Sequence, residues 1–304
     1  PSTLLQRAAA LLAAASGPSA ASGASAAAEL DQPNTVASWI SFRNMTPKKY
    51  QATLDKYRAL GYRPTDIEID GGKKATYALI LQKRQGPKKW ALYTRLTNAQ
   101  FKAKLNTNRE AGFRLIDQET YKLKKKRFYA GLWIKNTSQV VWASYRRMSK
   151  HKLTQIDAEM TAKGLFPIDV DGYRLNGKTR FSAIWVKKTQ VLDSRLDVDL
   201  SNDAFGRRFK SYSKAGFRLL DTEPYGHSKK LRFAGIWIKE DRHRKWKARR
   251  GMSSTSFHNA WAKYRDAGYR LEDIERYKNP KGHHRFAGAW VQSNDRVRWP
   301  HQAQ

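Results

Sequence analysis

One glycine recurs with a fixed period. Gly61, Gly112, Gly164, Gly216 and Gly268 are each followed by an aromatic or apolar residue, at spacings of 51, 52, 52 and 52 residues. Two tryptophan columns keep nearly the same period. Trp39, Trp90, Trp142, Trp246 and Trp299 form one, and Trp133, Trp185, Trp237 and Trp290 the other, with Leu81 in the first copy. A repeat of this length confines the chain to an array of like supersecondary units, because a unit of about fifty residues buries too little apolar surface to stand alone. Nine of the ten tryptophans lie in the two columns, so their default role is to build the shared core.

Fifteen residues before each glycine stands a hydroxyl residue, Thr46, Thr97, Ser149, Ser201 or Ser253, which suits a helix N-cap. Met or Leu precedes it. Four positions after the cap comes Tyr50, Phe101, Leu153, Phe205 or Phe257, the pairing of a hydrophobic staple. Apolar residues then continue at helical spacing, as in Phe257, Trp261, Tyr264 and Ala267, and the glycine closes the helix in the left-handed conformation. Beyond it the period changes to two, as in GFRLLDTEPY, and a turn leads to a second strand such as RFAGIWIK. Segments such as WALYTRL and WASYRRM, ahead of the helix, read as a third.

The spacing therefore predicts an α+β tandem-repeat protein of five β-α-β-β units, about 52 residues each, forming a β-rich array. The units are placed at 39–89, 90–141, 142–193, 194–245 and 246–298. Solenoid-like and propeller-like closure both satisfy the pattern. Residues 299–304 form a tail, with 296–300 a candidate sixth strand. Residues 1–38 are a low-complexity Ala and Ser leader or spacer, contributing nothing to a core. Its Arg7, the apolar run 8–15 and the small residues Ala24 and Ala26 resemble a secretory signal, so secretion is expected, with an organelle matrix after transit-peptide processing as the alternative.

Residues with chemistry are few. No cysteine is present, which removes disulfides, thiolate nucleophiles and cysteine metal sites. The seven histidines show no ligand spacing beyond the adjacent His283 and His284, so no metal and no cofactor are expected. Two S-x-x-K strings occur, Ser149 to Lys152 and Ser211 to Lys214, but no K-T-G accompanies them, and the first coincides with the cap column. No nucleotide-binding loop is found. Each copy has an acidic pair on one strand: Asp66 and Glu68, Asp117 and Glu119, Asp169 and Asp171, Asp221 and Glu223, Asp273 and Glu275. Paired carboxylates can do acid and base work. Five copies argue instead for internal salt bridges to Arg127, Arg180, Arg232 and Arg285, and for a protein that is not an enzyme.

The joint pattern W-x-x-Y-x-x-[LM]-[ST], then a helix, then G-[YF]-R-x-x-D-x-E-x-Y and [RK]-F-A-G-I-W, resembles the bacterial tandem-repeat domain that precedes the serine hydrolase domain of polyglycine hydrolases. The resemblance covers 39 to about 298. It implies a β-rich repeat scaffold that assists substrate engagement, and no catalytic residue, since in that family the catalytic serine belongs to a domain downstream of the repeats.

The chain carries 59 Lys plus Arg against 26 Asp plus Glu, a formal charge of +33. Solubility of a small domain needs only about 2 to 8 net charges. The excess points to a polyanion or acidic partner. The charge gathers at the hairpin turns: Lys73 and Lys74, then Lys122, Lys124, Lys125, Lys126 and Arg127, then Lys178, then Lys229 and Lys230, then Lys278 and Lys281. Connections between copies add Lys88 and Lys89 and the run containing Arg242, Arg244, Lys245, Lys247, Arg249 and Arg250. Turns in register would align these side chains into a stripe or rim able to track DNA, RNA or an acidic glycan by salt-sensitive contacts. An accessory module of an extracellular polyglycine-hydrolase-like peptidase, and a structural subunit of a fibre or large complex assembled through terminal strands, are the alternatives.

Overall fold

The computed structural model describes residues 36–84, 89–226, 230–241 and 244–292. The leader up to residue 35, the tail, the candidate sixth strand, Trp299, Lys88, Lys229 and Arg242 lie outside them.

Each repeat folds as strand, helix, strand, strand. Repeat 1 comprises β1 (Val36–Met45), α1 (Pro47–Ala59), β2 (Arg63–Asp70) and β3 (Thr76–Arg84). Repeat 2 has β4 (Trp90–Leu96), α2 (Asn98–Glu110), β5 (Phe113–Leu123) and β6 (Lys126–Lys135). Repeat 3 has β7 (Trp142–Met148), α3 (Lys150–Ala162), β8 (Leu165–Leu175) and β9 (Lys178–Lys187). Repeat 4 has β10 (Val191–Leu200), α4 (Asn202–Lys214), β11 (Arg218–Tyr225) and β12 (Arg232–Glu240). Repeat 5 has β13 (Trp246–Met252), α5 (Ser254–Asp266), β14 (Tyr269–Lys278) and β15 (His284–Gln292). β1 and β10 begin three residues ahead of the boundaries drawn from the glycine period.

The helices start where the cap column sets them. Thr46, Thr97, Ser149, Ser201 and Ser253 each accept a bond from the backbone N–H three residues on. Ser149 is thus a cap, bonded to the Lys152 amide at 3.2 Å. In repeat 2 the Gln100 side chain also reaches back to the Thr97 amide at 2.8 Å, completing a capping box. All five closing glycines have positive φ, between 72° and 84°.

Within each antiparallel sheet the third strand lies between the first and second, giving orders such as β1-β3-β2. The first and second strands are therefore parallel to each other, and the helix is their crossover. The middle strand is buried almost throughout. The second tryptophan column sits there, with Trp133, Trp185 and Trp237 at 0 % exposure. Leu81 takes its place in repeat 1 and is as well buried. In the first column Trp39 is also buried, but Trp90, Trp142 and Trp246 are less so. Trp90 and Trp142 are half-exposed and carry the guanidinium groups of Arg58 and Arg109, at 4.0 and 4.5 Å from their rings.

The second strands of successive repeats face one another, β2 to β5, β5 to β8, β8 to β11 and β11 to β14. β14 returns to β2 in the same way. Trp39, Ala78 and Ile80 of repeat 1 share one core cluster with Phe257, Trp261, Leu271 and Trp290 of repeat 5. The Trp261 indole N–H donates to Ser41 Oγ at 2.9 Å, and Arg276 pairs with Asp70. The last repeat thus packs on the first, and the five sheets stand around a common axis with their second strands innermost. The sheets remain separate, without merging into one barrel.

An arginine column rivets neighbours together. Arg43 of repeat 1 covers the ring of Phe257 at 5.0 Å and donates to the Ser254 carbonyl; Arg146 covers Phe101 at 3.9 Å and donates to Asn98; Arg250 covers Phe205 at 4.7 Å and donates to the Asn202 carbonyl. Each reaches the first helical residue of the preceding repeat.

Candidate functional site

Pairing at the strand ends decides where the basic turns go. Met45 at the end of β1 faces Tyr77, and Asp70 at the end of β2 faces Thr76. The helix N-terminus and the hairpin turn therefore lie at the same end of every repeat. Neighbouring turns touch there: the Gly72 amide donates to the Lys122 carbonyl at 2.8 Å, the Lys124 amide to the Gly72 carbonyl at 2.6 Å, and Arg127 to the Arg174 carbonyl. Gly71 permits the first approach, since a Cβ there would fall 2.2 Å from the Lys122 oxygen.

The result is a rim at one end of the ring. Lys73, Lys74, Lys122, Lys124, Lys125, Lys126, Lys178, Lys230, Lys278 and Lys281 are all exposed on it. Helix N-termini add to its field, because each carries partial positive charge from unpaired backbone N–H groups. Acidic residues ordinarily occupy such a first turn. Among the described residues only Asp203 does, while α1 opens with Lys48 and Lys49 and α3 with Lys150 and Lys152, all exposed. These four lysines are a part of the rim that turn composition alone misses; the signal was their place just after the cap column. Beside α3 the rim dips into a concavity of about 390 Å³ whose lining includes Arg146, Arg147, Lys152 and Arg180.

Not every basic residue singled out from the sequence belongs to this surface. Arg244 is held by Glu240, which also binds Arg218. Arg250 is spent on Phe205 and Asn202, and Arg127 is half-buried over Tyr173 with its guanidinium on the Arg174 carbonyl. Lys89 and Lys245 are exposed but stand at the opposite end, where the third strand of one repeat hands over to the first strand of the next. Lys247 and Arg249 are exposed on β13.

The acidic pairs behave otherwise than expected. Arg232 pairs with Asp199, and Arg180 and Arg285 donate to the carbonyls of Thr179 and His284. The carboxylates instead converge on the axis, because the second strands carrying them are innermost. There six of the ten bond to the exposed backbone edge of the preceding repeat. Asp117 accepts from the Ile67 amide at 2.7 Å, Asp221 from Val170 at 2.9 Å and Glu223 from Gly172 at 3.0 Å. Asp171 accepts from Thr120, Asp273 from Thr222 and, across the junction of last and first repeats, Glu68 from Arg276. An innermost strand has a free row of N–H groups, and these side chains satisfy it.

Crowding ten carboxyls makes ionisation costly. Burial, then neighbouring carboxylates, pushes Asp66, Glu119, Asp169, Glu223, Asp273 and Glu275 well above the ordinary range. Burial likewise pushes Glu68 and Asp117 up to about 8, and Asp171 and Asp221 up to about 7. With ten of the 26 acidic residues withdrawn to the axis, the outer surface is more basic than the net charge of +33 conveys.

The polyglycine hydrolase-like structural repeat matches this sequence five times, over residues 36–84, 87–136, 140–188, 196–240 and 243–293. The chain belongs to that family. The match is to the repeat region of polyglycine hydrolase-like proteins, and it covers every repeat of the ring. No curated protein matches the chain. Among the described residues, no helix is long and apolar enough to cross a membrane.

Proposed function

We propose that this repeat ring is a binding scaffold that grips a polyanion, a nucleic acid or an acidic glycan, through the rim of hairpin turns and helix N-termini. The observation that carries the proposal is the coincidence, at one end, of basic hairpin turns, the first three of them in contact, with helix starts nearly devoid of acidic residues. Lysines there repel one another and the helix dipoles, and an anion relieves both costs. Binding, rather than catalysis, is the role: the cap serines and six of the ten axial carboxylates are engaged in hydrogen bonds to the backbone.

Retention on DNA, RNA and heparin as a function of salt tests this. For DNA the logarithm of the affinity should fall linearly with the logarithm of salt, by about 0.9 per phosphate contacted. Reversing Lys124, Lys125 and Lys126 to Glu should weaken binding and reduce that slope by roughly three, with the thermal unfolding curve unchanged. No retention on any of the three at about 50 mM salt, or an unchanged slope in the reversed variant, overturns the assignment. A second reading follows from the family match, that the repeats engage substrate for a polyglycine-hydrolase-like catalytic domain; binding of a glycine-rich peptide would favour it over the first.

A further inference from the structure

The axial carboxylates are not equivalent. Along the innermost strands the positions equivalent to Ile69 are Thr120, Gly172, Pro224 and Arg276. The amides of Thr120, Gly172 and Arg276 serve Asp171, Glu223 and Glu68. Pro224 has no N–H to give. Glu275, the side chain that faces this position, is thereby deprived of the backbone partner that Asp171, Glu223 and Glu68 have.

At the same place Asp221, Asp273 and Glu275 bring carboxylate oxygens within 4.8 Å of one another. Asp273 is 3 % exposed, and its Oδ2 has no hydrogen-bond partner. A buried carboxylate oxygen left unpaired is costly. Calcium binds oxygen at about 2.3–2.6 Å, so a single ion bridges oxygens up to roughly 5 Å apart, and it tolerates irregular coordination. The cluster offers oxygen donors alone, with no imidazole or thiolate to favour a softer metal. Asp221 is only half-buried, so the cluster is not sealed from solvent.

We propose that Asp221, Asp273 and Glu275 form a binding site for a hard divalent cation, of the calcium class, on the axis between repeats 4 and 5. The ion takes the place of the missing Pro224 amide as partner for Glu275, fills the vacant acceptor of Asp273 and offsets carboxylate repulsion where two repeats meet. A search for histidine or cysteine spacing misses such a site, because its ligands are an acidic pair of one repeat and a carboxylate brought in from another. The site is independent of the anion-binding rim.

The test uses the full chain, stripped with EDTA and titrated with calcium chloride by calorimetry, with bound metal counted by mass spectrometry after dialysis. One calcium per chain is expected, with a rise in Tm on addition. Glu275→Gln should weaken binding by roughly tenfold or more, and Glu223→Gln, whose parent side chain has an amide partner in Gly172, should leave the affinity within about twofold of the parent. Because a change at the axis can disturb folding, Pro224→Ala provides the second arm. It restores an N–H opposite Glu275 and should lower calcium affinity without lowering the Tm of the metal-free protein. No bound calcium at millimolar free ion, equal affinity of Glu275→Gln and the parent, or tighter binding of magnesium than of calcium each overturns the assignment.

Discussion

Asp117 allows the inter-repeat hydrogen bond and the cost of an axial charge to be separated. Its Oδ2 accepts from the Ile67 amide at 2.7 Å, and burial pushes its carboxyl up to about 8, with Asp221 and Asp171 adding to the rise and the Ile67 bond opposing it. Asp117→Asn keeps an oxygen for the amide and carries no charge. Asp117→Ala keeps neither. The two variants are both neutral, so their difference is the unsatisfied Ile67 N–H, about 1–3 kcal/mol. At roughly 2–4 °C per kcal/mol for a chain of this size, Ala should melt several degrees below Asn at every pH.

The parent behaves differently from both. A carboxyl raised from 3.8 to about 8 by folding contributes stability that is fully present below the unfolded value and is lost as pH rises through the folded one. The parent should therefore lose ground to Asp117→Asn between pH 5 and pH 8, with Asn the more stable at pH 8. Thermal unfolding followed by circular dichroism at pH 5, 6.5 and 8, in EDTA, measures both effects. Equal stability of Ala and Asn would show that the carboxylate–amide bond contributes nothing. A gap between parent and Asn that ignores pH would show that the axis accommodates the charge without penalty.

Two further outcomes follow from contacts between and within repeats. Arg218 is bound by Glu240 at 2.6 Å and Glu272 at 2.7 Å, and Arg270 by Glu272 at 2.8 Å, so Glu272→Ala leaves two buried guanidinium groups short of a partner and should cost about 3–5 kcal/mol in urea unfolding. Burial alone would raise the Glu272 carboxyl, yet Arg218, Arg270 and Arg244 hold it far below the carboxylate range, so this part of the stability is present above pH 4.5 and is lost only in strong acid; in Glu272→Ala the acid limb of the pH–stability curve should be correspondingly shallower. Gly235→Ala would place a Cβ 2.6 Å from Cη2 of the fully buried Trp237, and a loss of about 1–3 kcal/mol is expected from overpacking. A Gly235→Ala protein with parental Tm and unchanged tryptophan fluorescence would contradict that packing.

How much was legible from the sequence differs from element to element. Helix starts, helix ends and the identity of each strand follow from short-range chemistry: a hydroxyl before a staple, a glycine where φ must turn positive, and a change of period from 3.6 to 2. These were read at the observed places. The fate of the acidic pairs was not, because a carboxylate two residues from another on a strand looks the same whether it meets an arginine of its own hairpin or an amide of the next repeat. The arginines gave no warning either. Arg43, Arg146 and Arg250 are ordinary basic residues in composition, and only the proximity of a preceding helix turns them into rivets over Phe257, Phe101 and Phe205.

The period of 52 residues by itself determined that this chain is an array of five like units, that a column of tryptophans fills the interiors, and that positive charge returns at every hairpin. Local interactions within one unit suffice for that. Which strand lies innermost, that repeat 5 packs on repeat 1, and that the charge divides into an outer basic rim and an axis of carboxyls were decided only in the tertiary structure. These depend on contacts between residues about 50 to 220 apart, such as Ile67 with Asp117 and Ser41 with Trp261. The physical reason is that a repeat encodes its own fold in neighbouring residues, whereas the partner of its exposed edge is supplied by the next copy.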